Sequence, residues 1–128
     1  MPPLTISLLA IAVGAVLGAW SRWGLSLWLN STQSLPWGTL AANGIGAYVI
    51  GLLLGWAAFA PQWPEWLRLA TMTGFLGALT TFSTFSAEVV GLLQQGRSMA
   101  AFIYLALSVL GSLALTAAGL ASVHFLRT

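Results

Sequence analysis

Apolar residues dominate four long stretches of the chain, and short polar interludes separate them. The stretches run over about 4–29, 37–59, 67–93 and 99–126. Each is long enough to supply the roughly 20 residues that a bilayer-spanning helix needs. The interludes read NSTQSLP from Asn30, APQWPE from Ala60 and QQGRS from Gln94, with the proline, glycine and polar residues that mark turns. No basic segment precedes the first stretch and three more follow, so it reads as a retained helix, not a cleaved signal. Trp37, Trp63 and Trp66 flank the second span and second loop, where interfacial aromatic residues belong. The pattern predicts an all-α integral membrane protein, one domain of four transmembrane helices.

Composition points the same way. Hydrophobic residues make up 59% of the chain and charged residues 5%, against about a quarter charged in a soluble domain. So few charges leave lipid as the natural covering for the surface. The four arginines are scattered, without the clustering of a nucleic-acid footprint. Cysteine is absent, which excludes a disulfide framework and a thiolate metal site. No acid–base pair, nucleophile beside a histidine or cofactor loop stands out, so an enzyme is not expected.

With four spans, Arg68 and Arg127 fall on one side of the membrane and Arg22 and Arg97 on the other. The positive-inside rule counts such residues near helix ends, and here they balance. The balance is either accidental in a sparsely charged chain or the mark of insertion in both orientations, which would allow two opposed copies to pair. Gly14 and Gly18, like Gly51 and Gly55, have the small-xxx-small spacing that lets helices approach closely.

Polar side chains inside the spans suggest function by default. Asn43 lies in the second. Thr80, Thr81, Ser83, Thr84, Ser86 and Glu88 crowd the third, and Tyr104, Ser108, Ser112 and Thr116 recur every fourth residue in the fourth. The last four form a slowly winding hydroxyl stripe, suited to a pore wall, or else bond back to their own helix. In GFLGALTTFSTFSAE, Gly74, Gly77 and the neighbouring threonines weaken the helix, and a break is expected near residues 77–81. Irregular backbone in lipid needs support from protein or a water cavity, and its unpaired carbonyls commonly bind a cation; a plain glycine packing site is the other reading. Phe82 and Phe85 share a face. They either pack, or turn the positive edges of their rings toward a narrow anion path that binds weakly enough to release. Arg22 either snorkels to headgroups or draws anions to a pore mouth. Glu88 would repel an anion if ionised nearby and needs either the interface or a hydroxyl partner, while His124 reads as interfacial.

The TTFSTF run, with NGIGAY before it and GAWSRW in the first span, closely resembles the Fluc/CrcB fluoride-channel family over essentially the whole chain. The resemblance implies a passive fluoride channel in a bacterial inner membrane, built as a dual-topology antiparallel homodimer with two pores and a third helix broken mid-membrane. It implies a sodium ion at the dimer centre, held by main-chain carbonyls of Gly77 and Thr80. By the same resemblance Asn43, Phe82, Phe85, Tyr104, Ser108, Ser112 and Thr116, with Ser83 and Thr84 beside the phenylalanines, belong to the fluoride path, and Arg22 to its vestibule. The rival is a small four-helix proton-coupled multidrug exporter. That chemistry needs a buried carboxylate in the first helix, and no Asp or Glu occurs between Met1 and Pro64.

Overall fold

The computed structural model describes residues 3–30, 34–60 and 62–128. Helix α1 covers Leu4–Leu29 and α2 covers Trp37–Phe59. The third span is composite: α3 (Glu65–Arg68), a π-helical segment (Leu69–Leu76), α4 (Gly77–Leu79) and α5 (Ser83–Gln94). Helix α6 covers Ser98–Arg127. Among the described residues, four helical stretches are thus long and apolar enough to cross a membrane, the third counted from Glu65 to Gln94.

Local chemistry sets the ends. Pro3, Pro36 and Pro64 immediately precede α1, α2 and α3, where a missing N–H costs the helix nothing. The first turn of α2 gets an acceptor from α1's end: the Gly38 N–H donates to Asn30 Oδ1 at 2.6 Å. Helix α5 stops at a left-handed glycine, Gly96, with φ of 75°. The Gly96 N–H donates to the Leu93 carbonyl and the Arg97 N–H to the Leu92 carbonyl, at 3.0 and 2.9 Å. This Schellman turn satisfies carbonyls that the helix end would strand, and Arg97 then ties the turn to the Ser34 carbonyl.

Two glycine-mediated contacts organise the bundle. A β-carbon at Gly14 or Gly18 would collide with the carbonyls of Ala70 or Phe75, and one at Gly74 with that of Ile11. Helix α1 therefore lies backbone against backbone on the π-helical segment. Helix α2 meets α6 the same way, with Gly51 against Thr116 and Gly119 against Tyr48. Gly55 faces Val123 one turn further on. Apolar clusters fill the remainder: Ala42, Leu76 and Leu79 in one, Phe85, Leu92, Ala101 and Tyr104 in the other. Many large apolar residues, including Leu8, Trp20, Leu110 and Phe125, remain exposed on the outside, as suits a lipid-facing surface.

Candidate functional site: a polar groove beside the interrupted third span

After Leu79 the helical path stops. Thr80 is extended, with φ −89° and ψ 153°, and helix resumes at Ser83. A helix end strands carbonyls that need other partners, and the structure supplies some. The Leu76 carbonyl accepts both the Thr80 N–H (3.0 Å) and the Thr80 hydroxyl (2.8 Å). The Ala78 carbonyl accepts from Arg22 Nε at 3.0 Å. Thr81 is held by a side-chain amide: its N–H donates to Asn43 Oδ1 at 2.8 Å, and Asn43 Nδ2 donates back to its carbonyl at 3.1 Å. The Thr84 N–H donates to the Thr81 hydroxyl at 3.2 Å. Arg22 thus reaches inward to the backbone of the interruption.

Beside this segment runs an open groove of about 760 Å³, bordered by α2, the third span and α6. Asn43, Gly77, Thr80, Phe82, Phe85, Ser108, Ser112 and Thr116 all line it. The two phenylalanines differ. Phe82 is 78% exposed and Phe85 is 7% exposed, with ring centroids 5.7 Å apart and planes at 59°. Phe85 stacks in turn on Tyr104 at 5.3 Å, also at 59°. Ser108 is buried, and its hydroxyl has no hydrogen-bond partner among the described residues. Thr116 does not bond back to its own helix: its hydroxyl crosses to the Ala47 carbonyl on α2, at 3.0 Å.

Four residues expected at the path lie off the groove lining. Ser83 is exposed and Thr84 half-buried, both in the first turn of α5. Arg22 sits on α1. Tyr104 is completely buried and gives its hydroxyl to Glu88 Oε1 at 2.8 Å. Glu88 accepts a second hydrogen bond, from the Thr39 hydroxyl to Oε2 at 3.0 Å. The same carboxylate borders a second recess of about 750 Å³, rimmed by Asn30, Ser34, Gln95 and Arg97. His124 is exposed near the end of α6.

Thr39, a partner of Glu88, stands outside the residues that the sequence singles out. Thr39 is 1% exposed, and its only signal was its position four residues before Asn43, which places both on one face of α2. Thr81 stood among the span's hydroxyls, but nothing distinguished it from its neighbours.

A family model described as CrcB-like protein, Camphor Resistance (CrcB), matches residues 9–120. The chain belongs to the CrcB family. A relative from Bordetella petrii is 58% identical over 97% of this chain and 96% of its own length. One from Pseudomonas putida is 56% identical over 94% and 95%. One from Albidiferax ferrireducens is 54% identical over 96% and 95%. All three carry the name fluoride-specific ion channel FluC. Four helices of spanning length and this relationship make the present CrcB chain a multi-pass membrane protein.

Proposed function

We propose that this protein is a passive, fluoride-selective ion channel that lets fluoride leave the bacterial cytoplasm down its electrochemical gradient. The observation that carries the reading is near-full-length identity above 50% to proteins named as fluoride-specific channels. The groove supports it with suitable chemistry. A small anion entering a low-dielectric path must exchange water for fixed donors. The Ser108 hydroxyl, free of other partners among the described residues, is such a donor, and Ser112 follows it along the groove, up to Thr116, whose hydroxyl is given to the Ala47 carbonyl. The Phe82 and Phe85 rings offer positive edges without the full charge that would trap the ion. Tyr104 stands behind Phe85 with its hydroxyl on Glu88, and Arg22 supplies the positive potential of a vestibule. Ser83 and Thr84 belong to the same turn as the phenylalanines.

In the assembly we propose, two copies insert in opposite senses in the inner membrane and pair as an antiparallel homodimer with two pores, the interruption of each third span lying mid-membrane. The balanced arginines and the exposed, open groove support this arrangement. A sodium ion at the dimer centre fits the chemistry of the interruption. A continuous helix would give the Thr81 N–H to the Gly77 carbonyl and the Thr84 N–H to the Thr80 carbonyl, and both donors are committed elsewhere. Oxygen ligands of this kind suit a hard cation. When bound, the ion supplies positive charge that offsets converging carbonyl dipoles and links the two copies.

The multidrug-exporter reading is not favoured, because its required carboxylate is missing from α1 and α2. Purified protein in liposomes loaded with fluoride or chloride tests the proposal: fluoride should leave far faster than chloride. Proton-coupled export of a lipophilic cation, or equal halide rates, would overturn it.

A further inference from the structure

We infer that Asn43 and the Thr81 hydroxyl are positioning groups that help keep the third span open, by taking two of the backbone donors that would close it, those that a continuous helix would give to the Gly77 and Thr80 carbonyls, and thereby free these carbonyls for a cation. An α-helix pairs each N–H with the carbonyl four residues earlier. At Thr81 the side-chain amide of Asn43 replaces that pairing at both ends, accepting from the N–H and donating to the carbonyl. At Thr84 the hydroxyl of Thr81 accepts instead of the Thr80 carbonyl.

Two nearby carbonyls are already engaged. Leu76's carbonyl is doubly occupied by Thr80, and Ala78's is held by Arg22. Helix α2 also shapes the interruption sterically, since a β-carbon at Gly46 would collide with the Thr80 methyl. Asn43 and Gly46 thus form one cradle on α2: the amide fixes Thr81, and the glycine admits Thr80. A leucine at 43 offers neither donor nor acceptor. A valine at 81 keeps the shape of threonine but loses the acceptor, whereas serine keeps it.

The cation half of this role rests on the sodium reading above; the clamp rests on the hydrogen bonds alone. Dimer stability is titrated with sodium chloride against N-methylglucamine chloride at constant ionic strength, for wild type, Thr81→Ser, Thr81→Val and Asn43→Leu. In parallel, threonine carbonyl-13C shifts in bilayers report whether Thr80 is extended or helical. Thr81→Ser is expected to keep the wild-type sodium midpoint within about twofold. Thr81→Val and Asn43→Leu are expected to raise it by about tenfold or more, equivalent to about 1.4 kcal/mol, and to move the Thr80 shift toward helix. An extended Thr80 in every variant that folds overturns the clamp. An unchanged midpoint in those variants overturns its link to the cation. A wild-type dimer indifferent to sodium removes the cation reading, while a helical shift at Thr80 in Thr81→Val alone still upholds the clamp. Thr81→Val carries the test if Asn43→Leu does not fold.

Discussion

A carboxylate within a membrane span needs donors, because an unpaired charge in hydrocarbon is costly. Glu88 has two, from Tyr104 and Thr39. The sequence flagged the need for a partner but not its identity: Thr39 is 49 positions away along the chain and Tyr104 is 16 away, and such pairings follow only from the packing of α2, α5 and α6. Thr39→Val and Tyr104→Phe should each lower unfolding stability by roughly 1–3 kcal/mol, the cost of leaving a buried hydrogen-bonding group unsatisfied. A double-mutant cycle in detergent checks this, and the two should couple because they bond the two oxygens of one carboxyl group. The phenylalanines part company at the same scale. Phe85 is buried against Tyr104 and Phe82 is not, so Phe85→Ala should cost about 3 kcal/mol of stability. Phe82→Ala should cost within about 0.5 kcal/mol. Fluoride flux should fall in both, which separates the packing of these rings from their place on the path.

Among the elements, the four apolar stretches were readable directly, since only uninterrupted hydrophobicity of that length suits a bilayer. Glycine spacing also marked contact faces. Gly14 and Gly18 do face a neighbour, as do Gly51 and Gly55, although the spacing could not say that the partners are the π-helical segment and α6. The π winding itself left no trace in the sequence. LATMTGFL is compatible with any helix. Because the obstacles at Gly14 and Gly119 are backbone atoms, they cannot swing aside like a flexible side chain. Gly14→Leu and Gly119→Leu should therefore destabilise the fold by about 1–3 kcal/mol or more, measured by thermal unfolding in micelles. The Schellman turn at Gly96 was foreshadowed by QQGRS, where glycine takes the one left-handed position.

For the molecule as a whole, the hydroxyl row reads well from the sequence because a four-residue recurrence must place side chains along one strip of a helix. Ser108, Ser112 and Thr116 share the groove with Asn43, Phe82 and Phe85. Tyr104 departs from the lining because its ring fills the space behind Phe85 and its hydroxyl belongs to Glu88. The chain has only four arginines and no lysine, so three or four lysines added to one loop should fix a single orientation. Such a variant alone should lose most of its fluoride flux, and coexpression with a variant biased the opposite way should restore it. Retention of full flux by the singly biased variant would count against antiparallel pairing.

A selective path for fluoride has a direct signature in flux. Its most direct measurement is an electrode record of halide leaving proteoliposomes when the counter-ion is released by an ionophore. Fluoride should escape rapidly in proportion to protein content, chloride should stay behind, and Phe82→Ile should slow the fluoride signal. Fluoride retained as in protein-free vesicles, or chloride leaving at the same rate, would contradict it.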